Sequence, residues 1–163
     1  MPNTPVRELI VQDLITTLTN MTTVGDNYYF APTLVSRKII NNETMDAFYS
    51  LQVIEGEEIY ETASASGSTT PAGFTGCRME VELNFKMTDI EADEVQMIGN
   101  YVLHDIHKAL MTRDEHIIGG VKVRVNPLRS YKTASEILDN RLEGSIVFVV
   151  EYRHREGDPA RPV

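Results

Sequence analysis

Residues 77 to 87 alternate between apolar and polar side chains without a break, and no other stretch constrains the fold as strongly. The apolar positions are Cys77, Met79, Val81, Leu83, Phe85 and Met87, and the polar positions are Arg78, Glu80, Glu82, Asn84 and Lys86. Successive side chains of a β-strand point to opposite faces, so this pattern predicts a strand with one dry face and one wet face. The chain is therefore expected to build a sheet that is covered on one side.

Apolar residues at helical spacing predict two helices, one before and one after this strand. The first is expected to begin near Pro5, which suits the first helical position, and to end near Thr22. The second is expected to begin with a capping box, in which Thr88 is the N-cap and Glu91 is the third helical residue. It should end near Met111.

Two extended segments, residues 28–39 and 46–63, precede the alternating strand and are rich in aromatic and β-branched residues. The second segment is expected to turn at Gly56. Residues 64–76, "SASGSTTPAGFTG", are small, polar and rich in Gly, Ser, Thr and Pro, a composition that buries little apolar area on its own. We predict a long flexible loop there.

The last third of the chain returns to β-structure. Valines alternate in "GGVKVRV" after a glycine turn, and the apolar run in "GSIVFVVEYRHR" predicts a central strand that is buried on both faces. Residues 130–143 fit either a loop or a short helix. Residues 156–163 are expected to form an extended and exposed tail.

Length and charge favour one domain that does not bind nucleic acid tightly. A chain of 163 residues that is 42% hydrophobic can bury one core, so residues 1–163 are expected to form a single domain. A formal net charge of -9 disfavours binding to nucleic-acid phosphates over a long stretch and binding to anionic membranes. One cysteine cannot close an intramolecular disulfide, and neither a secretion signal nor an apolar run of about 18 residues is visible. A cytoplasmic protein is expected.

Three histidines and an aspartate near the end of the second helix are the first candidates for chemistry. At helical spacing, the predicted apolar arc of this helix consists of Val95, Ile98, Val102, Leu103, Ile106, Ala109 and Leu110. His104 and His107 lie away from this arc, Asp105 is expected on the polar side, and His116 follows the helix. A metal site needs a third and usually a fourth ligand, and an HxxH pair without HExxH is a weak signal. A solvated or subunit-contacting face is therefore favoured over a metal or acid/base site.

The remaining candidates have simpler structural explanations. Cys77 shares the dry side of its strand and is expected to be a core residue rather than a nucleophile. The glycines of residues 67–76 are not followed by the Lys and Ser or Thr of a phosphate-binding loop. Helix capping accounts for the acidic cluster at residues 89–94. The sequence therefore predicts no catalytic, cofactor-binding or metal-binding residue and no cofactor.

Three stretches carry a family resemblance that spans residues 5–155. They are the opening helix "RELIVQDLITTL" leading into "YYFAPTLVSRKI", the strand "CRMEVELNFKM", and above all "VLHDIHKALMTRDEHIIGGVKVRV". In the last stretch a helix ending in Ala-Leu is followed by an aspartate and by a glycine turn into a valine-rich strand. In these stretches and in the order of its elements, the chain resembles the tail terminator, or tail completion, proteins of long-tailed bacteriophages.

The resemblance implies an α+β fold, with two main helices packed on one face of an antiparallel or mixed sheet and one long flexible loop. It implies a structural virion assembly protein, not an enzyme, that forms a ring, usually a homohexamer. Such a ring caps the tail tube and joins it to the head. The implied partners are other copies of the chain, the tail tube protein and a neck or head-completion protein, and DNA would pass through the lumen without specific binding.

Charged strand faces and the flexible loop are the candidates for contacts in such a ring. An edge strand with alternating charges can supply heterologous contacts that close, which points to the faces of residues 78–86 and 122–126. Ordinary solvated faces explain these charges equally well. The interface candidates are Pro71, Phe74, Arg78, Glu80, Glu82, Lys86, Lys122 and Arg124.

Two other interpretations of the sequence remain open. One is another neck component, such as a head-closure protein, because related neck proteins share a similar layout. The other, which is less favoured, is a small metal-dependent enzyme built around His104, His107 and His116. The terminator interpretation places the chain in the virion tail or neck, and in the host cytoplasm during assembly.

Overall fold

The computed structural model describes residues 4–25, 27–37, 48–62, 71–91, 93–111, 116–118, 121–135 and 141–162. These residues form an α+β fold with two helices and seven strands. The elements are α1 (Val6–Thr19), β1 (Leu34–Ser36), β2 (Tyr49–Thr62), β3 (Phe74–Met87), α2 (Val95–Met111), β4 (His116–Ile118), β5 (Val121–Ser135), β6 (Arg141–Arg155) and β7 (Asp158–Pro162).

The strands form one mixed sheet. Its order is β1-β2-β3-β6-β5-β4, and β7 pairs with β6. β1 runs parallel to β2, and the other pairings among these strands are antiparallel. β3 and β6 pair along their whole length, from Phe74 with Arg155 to Met87 with Leu142. These two long strands form the centre of the sheet.

The strand predicted at residues 77–87 is confirmed, and its dry side faces the helices. Its six apolar side chains share one core cluster with residues from both helices. Ile10 and Leu18 of α1, and Val102 and Ile106 of α2, are all 0% exposed. Burying each such side chain stabilises the fold by roughly 1.5–3 kcal/mol. We call this side of the sheet the inner face and the opposite side the outer face.

The central strand predicted from the apolar run of β6 is also confirmed. β6 lies between β3 and β5, and residues 145–150 are all buried. Phe148 lies opposite Val81 and therefore on the inner face, whereas its neighbour Val149 lies on the outer face. The run is continuous because both faces of this strand are shielded.

The turn predicted at Gly56 is wrong. β2 runs through Gly56 as one strand of 14 residues. Its register with β3 shifts between Glu55 and Glu58, which is a β-bulge. A side chain at position 56 would bring its Cβ within 3.1 Å of both the Cβ and the carbonyl oxygen of Glu80. The glycine therefore marks a close backbone approach and not a reversal of the chain.

The capping box predicted at Thr88 and Glu91 is also wrong, because α2 begins only at Val95. Asp89 has a φ of 59°, which lies in the left-handed region and stops a helix from starting there. The side chain of Ile90 is 3% exposed and belongs to the core. The chain thus turns after β3 to bring Ile90 inward before the helix starts.

Two segments near the start of the chain contain less regular structure than predicted. α1 ends at Thr19 rather than near Thr22. Within the segment 28–39, the described residues form only the short strand β1. The aromatic residues that precede β1 pack against α2 instead of joining the sheet.

β5 and β6 are longer than predicted. The segment 130–143, expected to be a loop or a short helix, is strand up to Ser135 and again from Arg141. Residues 136–140 lie outside the described residues. The two strands pair with each other along this stretch, so hydrogen bonding between the strands outweighs the weak local preference for a loop or a helix.

The loop and the tail also differ from the prediction. Of the predicted loop at 64–76, residues 74–76 already belong to β3, and residues 64–70 lie outside the described residues. Within the predicted tail, Asp158–Pro162 form β7, which pairs with β6. The end of the chain is therefore extended, as predicted, but held to the sheet.

Candidate functional site

The outer face of the sheet carries charged side chains that the sequence predicts as candidates for subunit contacts. Arg78 of β3 lies opposite Glu151 of β6, which in turn lies opposite Arg124 of β5. The Nε atom of Arg78 is 3.5 Å from Oε1 of Glu151, and the two side chains are 52% and 38% exposed. Exposed ion pairs of this kind stabilise a fold by only about 0–1 kcal/mol. These charged side chains can therefore form ion pairs with another surface at little cost in stability.

The other interface candidates differ in accessibility. Glu80 and Lys122 are exposed, as is Pro71. Phe74 is half-buried at the start of β3 and is not a loop residue. Glu82 is half-buried, and its Oε1 accepts a 2.7 Å hydrogen bond from Oγ of Ser145.

The prediction is wrong for Lys86, which is only 5% exposed. Its partner in β2, Ser50, is buried as well, whereas its partner in β6, Glu143, is exposed. Oγ of Ser50 donates a hydrogen bond to the backbone oxygen of Lys86 at 3.5 Å. Alternation predicts the face that a side chain takes but not what covers that face. The side chain of Lys86 is therefore not available for a contact.

The open edges of the sheet lie away from β3. β3 has β2 on one side and β6 on the other, so it is not the edge strand that the sequence suggested. Among the described residues, β1 covers β2 only at 50–52, which leaves residues 53–62 without a neighbour on that side. In the same way β4 covers β5 only at 121–123 and leaves residues 124–135 open. The sheet thus has two long open edges within the described part of the chain.

These two edges carry opposite charge. β2 contains four glutamates and no basic residue, whereas β5 contains four basic residues and no acidic one. They are Glu55, Glu57, Glu58 and Glu61 in β2, and Lys122, Arg124, Arg129 and Lys132 in β5. An acidic strand and a basic strand therefore lie towards opposite sides of one sheet.

Half of the acidic residues on β2 are neutralised within the subunit. Nε of Arg7 is 3.1 Å from Oε2 of Glu55, and its Nη1 is 3.3 Å from Oε2 of Glu58. Arg37 also pairs with Glu55 and approaches Oε2 of Glu8 to 2.7 Å. The hydrogen bond from Arg37 lowers the pKa of Glu8. This network ties the start of α1 to β2.

Replacing Glu58 is expected to weaken this network. Its side chain is 8% exposed and accepts hydrogen bonds from Arg7, from Tyr60 at 2.6 Å and from Tyr152. Because Glu58→Ala leaves these donors without their acceptor, we expect the free energy of unfolding to fall by about 1–2 kcal/mol in urea denaturation. The exposed neighbour Glu57 supplies the control, since Glu57→Ala should change it by less than about 0.5 kcal/mol. Equal effects of the two substitutions would contradict a stabilising network.

The predicted orientation of the helix histidines is correct for one of them. His104 is exposed, and the ring of Tyr29 lies edge-on to it at 5.9 Å. His107 is half-buried, with its ring centroid 5.8 Å from that of the core residue Phe148. Burial, followed by the charge of His104, lowers the pKa of His107. The sequence predicted that His107 points away from the core, and this prediction is wrong.

The described residues bring together no set of metal ligands. No three His, Cys, Asp or Glu side chains meet in that part of the chain. His116 lies in β4, but its side chain is not among those described. Cys77 is 2% exposed, and burial raises the pKa of its thiol to about 12. Its predicted place in the core is confirmed, and a thiol with this pKa stays protonated near neutral pH.

Asp105 is also not where the sequence predicts it. Predicted on the polar side of α2, it is 0% exposed. Its Oδ2 accepts a 2.9 Å hydrogen bond from the backbone N–H of Phe30, while its Oδ1 has no partner among the described residues. Burial raises the pKa of Asp105, although the amides of Phe30 and Tyr29 act against this. The hydroxyl of Tyr49 is also buried and unpaired in the described part of the chain, and its pKa is raised by burial and by the charge of Asp105.

The sequence contains a signal for the burial of Asp105. Val102, Asp105 and Ala109 follow the spacing of three and four residues that defines one face of a helix, and all three are buried. A carboxylate at such a position needs hydrogen-bond donors. Here the donors come from the segment before β1, where Tyr29 also stacks on Tyr101 with ring centroids 4.2 Å apart.

Comparisons with known proteins give no assignment. The sequence matches no protein-family model, and no curated protein matches it significantly. Neither of the two described helices is long and apolar enough to cross a membrane. The fold, the open edges and the sequence resemblance therefore carry the functional proposal.

Proposed function

We propose that this chain is the ring-forming subunit of a tail terminator of a long-tailed bacteriophage, a structural protein and not an enzyme. The layout of the subunit supports this most strongly. Two helices cover the inner face of a mixed sheet, and two long edges of the sheet stay open among the described residues. The resemblance implies helices on one face of such a sheet, and a ring subunit needs a different contact surface on each of two sides.

In this role the ring caps the finished tail tube and joins it to the head through the neck. DNA passes through the lumen without being held, and the net charge of -9 favours this because it repels phosphates. The partners are other copies of the chain in a ring of six, as in the family it resembles, the tail tube protein and a neck or head-completion protein. The protein assembles in the host cytoplasm and then stays in the virion tail.

Binding to isolated phage parts separates this role from that of another neck component. Purified protein is mixed with tail tubes that lack this chain and, separately, with portal complexes of the same phage, and each mixture is sedimented. Because a terminator recognises the end of the tube, we expect saturable binding to tubes at one ring per tube. Binding to portal complexes alone would favour a head-closure protein, and binding to neither would contradict both roles.

A further inference from the structure

The two open edges are similar in length, and both expose large apolar side chains. We call residues 53–62 of β2 the acidic edge and residues 124–135 of β5 the basic edge. At about 3.3 Å per residue, each edge is roughly 30–40 Å long. Both edges also expose large apolar side chains, which are Ile59 at 54% and Tyr60 at 59% on the acidic edge and Leu128 at 53% on the basic edge.

Each edge carries two exposed charged side chains that form no ion pair with other described residues. Glu57 and Glu61 on the acidic edge, and Arg124 and Arg129 on the basic edge, are all exposed. None of the ion pairs among the described residues involves these four side chains. Two acidic edges would repel each other, as would two basic edges, whereas an acidic edge beside a basic edge brings opposite charges together.

We propose that the basic edge of one copy of this chain docks on the acidic edge of a second copy, so that the sheet continues from subunit to subunit. The proposal rests on the ring proposed above and assigns the surfaces that form its contact. The backbone N–H and C=O groups of the two edges then form hydrogen bonds with each other instead of with water. Because the two surfaces differ, the contact is heterologous, and every copy has one edge of each kind to offer until the ring closes.

Each edge also has a feature that limits pairing with other strands. The register of β2 shifts between Glu55 and Glu58, and that of β5 shifts between Pro127 and Arg129. Bulges twist an edge, and a proline removes a backbone donor, so a flat foreign strand pairs poorly with either edge. The charges then select the matching edge of another copy.

Charge reversal followed by rescue tests this contact. Glu57→Lys/Glu61→Lys reverses two exposed charges of the acidic edge, and Arg124→Glu/Arg129→Glu reverses two exposed charges of the basic edge. Light scattering measures the native mass over a concentration series, and sedimentation measures binding to tail tubes. Each variant alone should need at least about tenfold more protein to assemble than the wild type. An equimolar mixture of the two should assemble like the wild type, with the variants alternating around the ring.

Two controls separate the contact from effects on folding and on net charge. All four substituted positions are exposed, so each double variant should keep the wild-type melting temperature within a few degrees. Glu91→Lys/Glu156→Lys reverses two exposed charges away from both edges. It changes the net charge as Glu57→Lys/Glu61→Lys does, and it should assemble normally.

The outcomes distinguish a wrong contact from a wrong function. If both edge variants assemble like the wild type, or if their mixture fails to assemble, the ring uses other surfaces and the edge contact is wrong. If the wild type stays monomeric both in solution and with tail tubes, the proposed function and the edge contact both fail. Loss of assembly in each variant with recovery in the mixture is the result that supports the contact.

Discussion

Ile106→Asp and Val102→Asp are each expected to leave the subunit largely unfolded at neutral pH. Both side chains are 0% exposed and belong to the core between α2 and the sheet. An unpaired carboxylate at such a position costs roughly 4–5 kcal/mol. That is a large share of the roughly 5–15 kcal/mol by which a domain is stable. Circular dichroism at about 20 °C and during heating measures the loss of folded structure.

Histidine substitutions on the same helix provide the controls. His104 is exposed, so His104→Ala should change the free energy of unfolding by less than about 0.5 kcal/mol. His107→Ala removes a ring that packs against Phe148 and should cost about 1 kcal/mol. The sequence alone, which places both histidines away from the core, predicts a nearly unchanged melting temperature for both substitutions. A His104→Ala protein that unfolds as completely as Ile106→Asp would contradict this assignment of the faces of α2.

Asp105→Ala is expected to destabilise the subunit by about 2 kcal/mol, because the backbone N–H of Phe30 loses its acceptor. The segment before β1 then loses one of its ties to α2. Asp105→Asn keeps an oxygen acceptor in the same place and removes the buried charge. It should therefore be at least as stable as the wild type at pH 7. Urea denaturation compares the two variants, and equal instability would contradict the hydrogen-bonding role.

The carboxyl group of Asp105 also gives stability a pH dependence of definite sign. Burial raises its folded-state pKa above the unfolded-state value, so the folded state favours the protonated form. This contribution to stability is fully present below the unfolded-state pKa and is lost as the pH rises through the folded-state pKa. From about pH 4 upward, the wild type should therefore lose stability relative to Asp105→Asn. Parallel pH profiles for the two proteins would show that ionised Asp105 is not destabilised by burial.

The parts of the fold that could be predicted from sequence rest on local periodicity. The alternation at residues 77–87 and the apolar run of β6 both follow from side chains that take turns on the two faces of a strand. Helix spacing likewise identified Val102 and Ile106 as core residues. In each case the residues that decide the structure are close together in the chain.

Local patterns failed where distant parts of the chain decide the outcome. Thr88 and Glu91 have the right spacing for a capping box. However, Ile90 is buried in the core, and the helix begins only at Val95. The polar character of Asp105 suggested an exposed position, yet backbone amides far away in sequence allow it to be buried. Neither outcome can be read from spacing alone.

The candidate contact surface depends on strand order, which the sequence does not give. The opposite charges of β2 and β5 are visible in the composition of the two segments. Only the pairing of β3 with β6 between them places these strands towards opposite sides of one sheet. The sequence instead suggested β3 as an edge, because its alternating charges do not reveal that it has a neighbour on each side.

Electron microscopy of the purified protein mixed with tail tubes that lack it is the most direct test of the proposed function. We predict a closed ring at one end of each tube, with a mass of about 110 kDa for six copies of the 18.4 kDa chain. Bare tube ends, together with protein that remains monomeric at every concentration, would contradict the assignment of this chain as a tail terminator.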